Sequence, residues 1–443
     1  MNQLNKYLFK STSNASLIVF RVLFGILVWA ECWGAIATGW IKKTLIEPQF
    51  TFSFINFPWL QPLPENGMYI YFFIMGLCGI AIALGYRYRL AIITFTVLWA
   101  GAYFMQKSSY NNHYYLLVLI SFMMCFFNAN RRFSIDVKQN RTALTFTMPN
   151  WVRFSFILQI ALVYFFATKA KFYPDWLDGT FTKNTLLNAP IHSIAFFNEL
   201  LYPLFSKEWF YLFIAYAGIL FDGLIIPLLC FKKTRTIALI ASLIFHLFNA
   251  IVLQIGIFPF FALAFILFFY EPKTIEKRFF KNKKTLETST QKPSKFILTG
   301  LVLYFFIQIA LPLRHHFIKG DVLWTEEGHR LSWRMMLRSK TGYINIKIRN
   351  NNTGQTDIYN LSKNLTNKQR GNLPTSPDFI WQLCQHIKED YNGQDISIFV
   401  EGKKSVNGHK YKTFIDPNFD MAKAKWNFFS HNEWILTYPN YTD

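Results

Sequence analysis

The sequence predicts a mainly α-helical protein: a polytopic transmembrane helical bundle with a small C-terminal α+β domain outside the membrane. Of the 443 residues, 52% are hydrophobic and 19% are aromatic, a composition far from that of a soluble domain of this size. Apolar runs of about the length of a bilayer crossing recur through the first 313 residues. After residue 314 the pattern changes to short segments in which apolar and polar residues alternate, as in β-strands.

Nine candidate spans follow from the hydropathy pattern, although the third and fourth are short. The division between the seventh and eighth depends on Gly256 and Pro259. The predicted spans cover residues 15–37, 68–85, 91–106, 112–127, 151–168, 209–231, 236–254, 255–270 and 296–313. No removable signal peptide is expected, because the first run is long enough to remain as a span. We therefore predict a membrane domain over residues 1–313 and a β-rich extramembrane domain over residues 314–443.

Basic residues predict how the bundle lies in the membrane. They cluster after the even-numbered spans, at residues 87–89, 131–141, 232–235 and 273–284. Because positive loops stay on the cytoplasmic side, the N-terminus is predicted inside and the C-terminal domain outside. This pattern accounts for the net charge of +21, so we predict membrane lipid as a partner and no nucleic acid. The five cysteines form no CxxC pair, and neither a dithiol site nor a metal site is predicted.

The C-terminal region reads as two strand pairs and one helix. Residues 343–349 alternate with a period of two, and residues 357–361 are a candidate hairpin partner across a turn. Residues 377–391 predict an amphipathic helix, while residues 395–400 and 410–415 predict the second pair of strands.

Two lysines end the fifth span, and two interpretations of them stand side by side. Lys169 and Lys171 can extend their ammonium groups to the lipid headgroups. Alternatively, Lys171 lies in an apolar pocket, where desolvation favours the neutral amine and makes it a competent general base. The aromatic residues available to form such a pocket are Phe165, Phe166, Phe172, Tyr173 and Trp176.

Other polar groups lie in or beside the predicted spans. His246 and Asn249 share a helical face, where an interhelical hydrogen bond and a catalytic role are equally open interpretations. Packing or ion pairing is predicted for Arg21, Glu31 and Asp222. Asn112 and His113 start a helix and His315 and His316 follow the last span, so capping and interfacial roles compete there with function.

Motifs spread over roughly residues 15 to 440 resemble the vitamin K-dependent γ-glutamyl carboxylase family, with its HTTM membrane domain. They are Pro62-Leu-Pro64 with Met68-Tyr69, Asn111-Asn112-His113, Asn128-Ala129-Asn130 with Phe133-Ser134-Ile135-Asp136, Val163-Tyr164-Phe165 through Lys171 to Asp175-Trp176, Phe245-His246 with Asn249, Ile255-Gly256, Leu311-Pro312, Ser332-Trp333 with Met335-Met336, and Phe414-Ile-Asp416-Pro417. The resemblance implies a lyase-type carboxylase that is also an epoxidase.

In that family an active-site lysine deprotonates reduced vitamin K, and the product reacts with O₂ to give an alkoxide. The alkoxide removes the γ-proton of a peptide glutamate, the carbanion takes up CO₂, and the quinone leaves as its epoxide. The resemblance implies phylloquinol or menaquinol as cofactor, O₂ and CO₂ as co-substrates, no metal, and a Glu-containing peptide or protein as partner. It implies catalytic roles for Lys171, His113 and Asn112, supporting roles for His246, Asn249, His315 and Trp176, and glutamate binding by Ser332, Trp333, Met335 and Met336.

The chain departs from the animal members in ways that concern substrate recognition. It is much shorter, most of a propeptide-binding region is missing, and Arg334 stands where those enzymes carry an acidic residue. We therefore expect a short, bacterial-type member in the cytoplasmic (inner) membrane, with its site on the outer side. The oligomeric state stays open. Two other functions compete: different quinone or lipid chemistry on the same fold, and a transporter or binding protein with His246, Asn249 and Asp222 along its path.

Overall fold

The computed structural model describes residues 3–280, 293–391, 393–440 and 442, and the chain is mainly helical. Six helices are long and apolar enough to cross a membrane. Numbered with all α-helices of the described chain, they are α2 (Ala15–Ala37), α3 (Gly67–Leu84), α4 (Tyr88–Met105), α7 (Asn150–Ala170), α11 (Glu208–Cys230) and α15 (Lys295–Leu313). The third of these is longer than its predicted span, because its helix begins three residues earlier at Tyr88.

The remaining helices are shorter. Two of them, α5 (Asn112–Phe126) and α12 (Arg235–Ile251), are apolar and lie where the fourth and seventh spans were predicted. The others are α1 (Gln3–Phe9), α6 (Ile135–Lys138), α8 (Pro174–Leu177), α9 (Thr180–Leu187), α10 (Ala195–Phe205), α13 (Phe258–Phe265), α14 (Pro272–Phe279), α16 (Val322–Thr325), α17 (Asn367–Asn372) and α18 (Pro377–Asp390).

The predicted eighth span is not one straight helix. The segment Phe258–Phe268 meets Pro272–Phe279 at an angle of 111°, and Pro272 starts the second helix of the pair. Proline restricts the residue before it and favours a break in the helix. With this bent pair counted as one crossing, up to seven spans are present, so the predicted number of nine is not confirmed. Residues 281–284 of the predicted fourth basic cluster lie outside the described residues.

The bundle is built around α2. Its buried face carries Phe20 and Phe24, which pack against aromatic rings of α7 and α13. Gly25 and Gly79 let α2 and α3 approach closely: a Cβ at Gly25 would lie 2.4 Å from a backbone nitrogen of α3. Arg21, also on α2, is fully buried and donates hydrogen bonds only to backbone carbonyls, which agrees with its predicted packing role.

Both predicted strand pairs form in the C-terminal region, and they join into one four-stranded antiparallel sheet. The strands are β1 (Ser11–Ser13) and β2 (Thr147–Pro149), which pair in the membrane domain, and β3 (Lys340–Asn350), β4 (Thr356–Ile358), β5 (Ile396–Val406) and β6 (Lys412–Thr413) in the sheet. The sheet order is β4-β3-β5-β6, and β3 pairs with β5 along its whole length, with Ile346 opposite Val400. The helix predicted at residues 377–391 forms as α18.

The four-stranded sheet and the helices α17 and α18 together are called the sheet domain. Polar contacts hold it against the end of the bundle where α7 ends. Asp378 of α18 accepts a hydrogen bond from Lys107, which follows α4, at 2.7 Å. The loop between α2 and α3 adds a carbonyl at Phe50, which accepts from Gln369 at 2.7 Å. Asp175, four residues after Lys171, accepts a hydrogen bond from Asn407, which follows β5, at 2.7 Å. The sheet domain therefore lies over the end of the bundle that carries Lys171.

Candidate active site

A cavity of about 760 Å³ lies between α7, α11, α12 and the segment that leads into β3. Its walls are mostly phenylalanine, leucine and isoleucine side chains. The groups with chemical capability in the lining are His113, Tyr164, Lys171, Asp222, His246 and Asn249. A volume of this size is typical of small-molecule sites, in which an apolar wall carries a few converging polar groups.

Lys171 is buried in this cavity, with 7% of its surface exposed. It directly follows α7, and its ammonium nitrogen Nζ donates a hydrogen bond to the carboxylate of Asp222 on α11. Nζ also lies 5.2 Å from the centre of the Trp176 ring, within the range of a cation–π contact. Lys171 therefore lies in a pocket, as the second interpretation of the sequence predicted, and its nitrogen is paired there with a carboxylate.

Lys169, two residues earlier, is placed differently. Its side chain is exposed, and its Nζ lies 2.8 Å from Nε2 of His316 beyond the last span. Side chains two positions apart on a helix do not face the same way, so only one of the two lysines can enter the cavity. The headgroup interpretation fits Lys169.

Asp222 is the main site residue that sequence reasoning missed. Packing or ion pairing was predicted for it, and the structure shows an ion pair with Lys171. The two residues are 51 positions apart, so no local pattern joins them. The one signal available was an acidic residue within an apolar span, which is costly in hydrocarbon and marks a functional site by default.

Two histidines also line the cavity. His246 is buried, and its Nε2 lies 3.0 Å from the hydroxyl oxygen of Tyr164. His113 stacks on Phe258, with ring centres 4.1 Å apart, and Phe258 also lies edge-on to His246. Predicted residues from α5 and α12 thus meet in one place, and Tyr164 joins them.

The predicted glutamate-binding stretch only partly reaches the cavity. Met335 and Met336 line it, whereas Trp333 is buried beside it and stacks on Tyr115, with ring centres 4.9 Å apart. Ser332 donates its hydroxyl hydrogen to the carbonyl of His329. The backbone here is strained, because Trp333 and Met336 both have positive φ angles, of 57° and 48°. Strain of this kind in bulky residues is typical of functional segments.

Two further predicted residues stand outside the lining. Asn112 donates from Nδ2 to the carbonyl oxygen of Arg334 at 3.2 Å, so it anchors the strained stretch instead of facing the cavity. His315 packs against His316, and its Nδ1 lies 2.9 Å from the carbonyl oxygen of Pro312. Trp176 and Asn249, in contrast, both line the cavity.

The cavity opens sideways through the surface of the bundle. Four residues of its lining are also exposed on the outside, where lipid would surround an inserted bundle: Phe213, Leu220, Leu224 and Ile244. These apolar side chains of α11 and α12 let an apolar molecule enter the cavity through this opening.

Family models match both parts of the chain. The HTTM domain model covers residues 9–273, and the model for the lumenal domain of vitamin K-dependent gamma-carboxylase covers residues 293–441. No solved structure matches the chain. The first match spans more than half of the sequence and the second adds most of the remainder. The chain therefore belongs to the vitamin K-dependent γ-glutamyl carboxylase family.

Proposed function

We propose that the protein carboxylates peptide glutamate to γ-carboxyglutamate and couples this reaction to the epoxidation of a quinol by O₂, with Lys171 as the base. The observation that carries this proposal is the Lys171 amine, held against Asp222 inside an apolar cavity that opens to lipid. A freely solvated lysine would not support it.

The cavity fits reduced vitamin K, as phylloquinol or menaquinol. Its aromatic and aliphatic wall suits a quinone ring, and the sideways opening leaves an isoprenoid tail in the bilayer. The bound quinol, once deprotonated and oxygenated, supplies the strong base that removes the γ-proton of glutamate before CO₂ adds.

Asp222 gives the lysine a way to lose and regain its proton. Two opposite charges in an apolar cavity are expensive to desolvate, and proton transfer from the ammonium to the carboxylate leaves a neutral pair. The neutral amine can then take a quinol hydroxyl proton. As it becomes ammonium again, Asp222 keeps the first proton as a neutral acid, and the quinol anion balances the charge of the ammonium. Lys171 and Asp222 thus hold both protons between them, away from water.

The other polar groups orient the reactants. Tyr164 and His246 form a hydrogen-bonded pair that can hold a quinol oxygen opposite Lys171. His113, fixed by stacking on Phe258, presents a further nitrogen to the same space. Met335 and Met336 cover the side toward the sheet domain and keep bulk water from the base. We further propose that the end of the bundle covered by the sheet domain lies at the outer face of the membrane, and that residues 314–443 form a separate outer domain.

Catalysis itself provides the basic test of this function. Purified protein is incubated with reduced vitamin K, bicarbonate carrying labelled carbon, and a glutamate-rich peptide. We expect both label in the peptide and quinone epoxide. If a folded preparation that binds quinol forms neither product, the proposal is rejected. If it forms epoxide but no labelled peptide, the protein oxidises the quinol without carboxylating glutamate.

Substitution of Asp222 by asparagine should lower the rate of epoxide formation about 10²-fold, within the range attributed to general acid–base groups. Asparagine keeps a hydrogen-bonding oxygen near Lys171 but can neither accept its proton nor balance its charge. Steady-state epoxide formation at saturating quinol measures the effect. Glu208→Gln is the matched control, because Glu208 is exposed at the start of the same helix. Equal rates in the Asp222 variant and wild type would remove Asp222 from the mechanism.

A further inference from the structure

A second cavity, of about 560 Å³, adjoins the first on the side of the sheet domain. The two share Thr185, Leu253 and Met336 in their linings, so they are neighbouring compartments of one space. The second differs in chemistry. Amides and hydroxyls from Asn184, Thr185, Asn188, Ser339 and Thr341 stand there beside apolar Ala189, Pro190, Leu253 and Met336, and the lining contains no charged side chain among the described residues.

The wall of this polar cavity is held by one buried residue, Asn407, in the turn after β5. Its carbonyl oxygen accepts from Nδ2 of Asn184 at 3.1 Å, and its Oδ1 accepts from the backbone N–H of Ser339 at 2.9 Å. Its Nδ2 donates to Asp175 at 2.7 Å. Asp175 precedes Trp176, which lies against Lys171 in the first cavity. The polar wall and the loop beside the base are thus parts of one hydrogen-bonded unit.

The chemistry of the lining limits what can occupy the polar cavity. An apolar quinone could not hydrogen-bond to the amide and hydroxyl atoms that have no partner within the protein, and covering such atoms is costly. A peptide main chain carries alternating N–H and C=O groups that need partners wherever water is displaced, and side-chain amides and hydroxyls supply both kinds.

Met336 stands at the boundary of the two cavities. It is 41% exposed, it belongs to both linings, and its backbone has a positive φ. Methionine has an unbranched, flexible side chain that repacks easily around a ligand. A side chain reaching from the polar cavity toward Lys171 passes this residue.

We propose that the polar cavity is the subsite for the substrate peptide. It binds the main chain that flanks the target glutamate, whose side chain extends past Met336 to the reaction centre. The inference rests on the proposed function and adds a separate place for the second substrate. Quinol and peptide then approach from different sides, one from lipid and one from water.

Filling the polar cavity should weaken peptide binding without affecting the quinol. Ser339→Trp and Asn188→Trp each place a bulky ring in it, and both positions are exposed, so the fold should tolerate them. We expect the KM for a glutamate-rich peptide to rise about tenfold or more, which corresponds to the loss of a few hydrogen bonds. The KM for reduced vitamin K should stay unchanged. Thr353→Trp is the matched control, since Thr353 is exposed in the turn between β3 and β4.

A binding measurement separates this inference from the catalytic proposal. The affinity of a fluorescein-labelled peptide of about ten residues is measured by anisotropy, for wild type and for the three tryptophan variants. Weaker binding in Ser339→Trp and Asn188→Trp alone supports the subsite, even in a preparation that forms no epoxide. Unchanged peptide affinity and KM would overturn it. A raised KM for the quinol instead of the peptide would assign the cavity to the quinol and overturn it equally.

Discussion

Replacement of Lys171 by alanine is expected to abolish epoxide formation and peptide carboxylation together. Both products depend on removal of the quinol proton, and Lys171 is the one lysine in the lining of the apolar cavity as described. General bases contribute factors of about 10² to 10⁴ to the rate. The substitution also leaves the buried carboxylate of Asp222 without its partner, so the rate of epoxide formation should fall by a factor of at least about 10³. Epoxide and incorporated label are measured in the same reaction.

Lys169→Ala supplies the matched control for this experiment. Lys169 is exposed and contacts His316 instead of the cavity, so its removal takes away a positive charge near the site without touching the base. We expect nearly wild-type activity. Equal losses in the two variants would mean that positive charge at this end of the bundle matters, and not the buried amine.

Replacement of Asp378 by asparagine should destabilise the protein by about 3–5 kcal/mol, the range found when one partner of a buried ion pair is removed. Asp378 accepts hydrogen bonds from Lys107, which follows α4, and from Arg330, which precedes β3, and all three side chains are largely buried. Asparagine leaves two buried cations without a counter-charge. Thermal unfolding in detergent, followed at the tryptophans, measures the loss.

A surface ion pair gives the comparison. Glu401 and Lys347 face each other across β5 and β3 at 2.6 Å, with both side chains more than a third exposed. Such pairs contribute about 0–1 kcal/mol, so Glu401→Gln should barely change the unfolding temperature. Similar losses for both variants would contradict the assigned role of the Asp378 contacts.

The same contacts predict a response to acid. Burial raises the pKa of Asp378, but the positive charges of Arg330 and Lys107 outweigh it and hold the pKa well below its usual range. The unfolded chain therefore takes up a proton at Asp378 before the folded protein does. Stability from this group is present above about pH 4, the ordinary carboxyl value, and is lost progressively below it. The Asp378→Asn variant should lack this part of the acid dependence.

The fold could be predicted where one local pattern decides the structure. Apolar runs located every long membrane helix, and strict alternation located β3. The number of spans could not be predicted, because hydropathy does not register the bend near Pro272 and does not decide whether short apolar helices such as α5 and α12 cross the membrane. β3 pairs with β4, its predicted hairpin partner, but its longer pairing is with β5, some 50 residues away, and pairing over such distances leaves no local signal. The domain boundary at residues 313 and 314, and the orientation in the membrane, stay predictions.

The site shows the same division. Lys171, His113 and His246 were identified as single residues, and the structure gathers them around one cavity. Packing or ion pairing was predicted for Asp222, but no partner was named. The contact between α7 and α11 arises from packing of helices far apart in the sequence, so no local pattern indicates it. Ser332 and His315 do not line the cavity, since one caps a strained turn and the other packs on its neighbour. Their predicted roles remain untested.

Chemical rescue of the Lys171→Ala variant tests the identity of the base most directly. Small primary amines are added to the folded variant with reduced vitamin K and O₂, and epoxide formation is followed. The account predicts that these amines restore the reaction, that stronger bases restore more, and that Lys169→Ala gains nothing from them. Undiminished epoxide formation by Lys171→Ala without any added amine would contradict it.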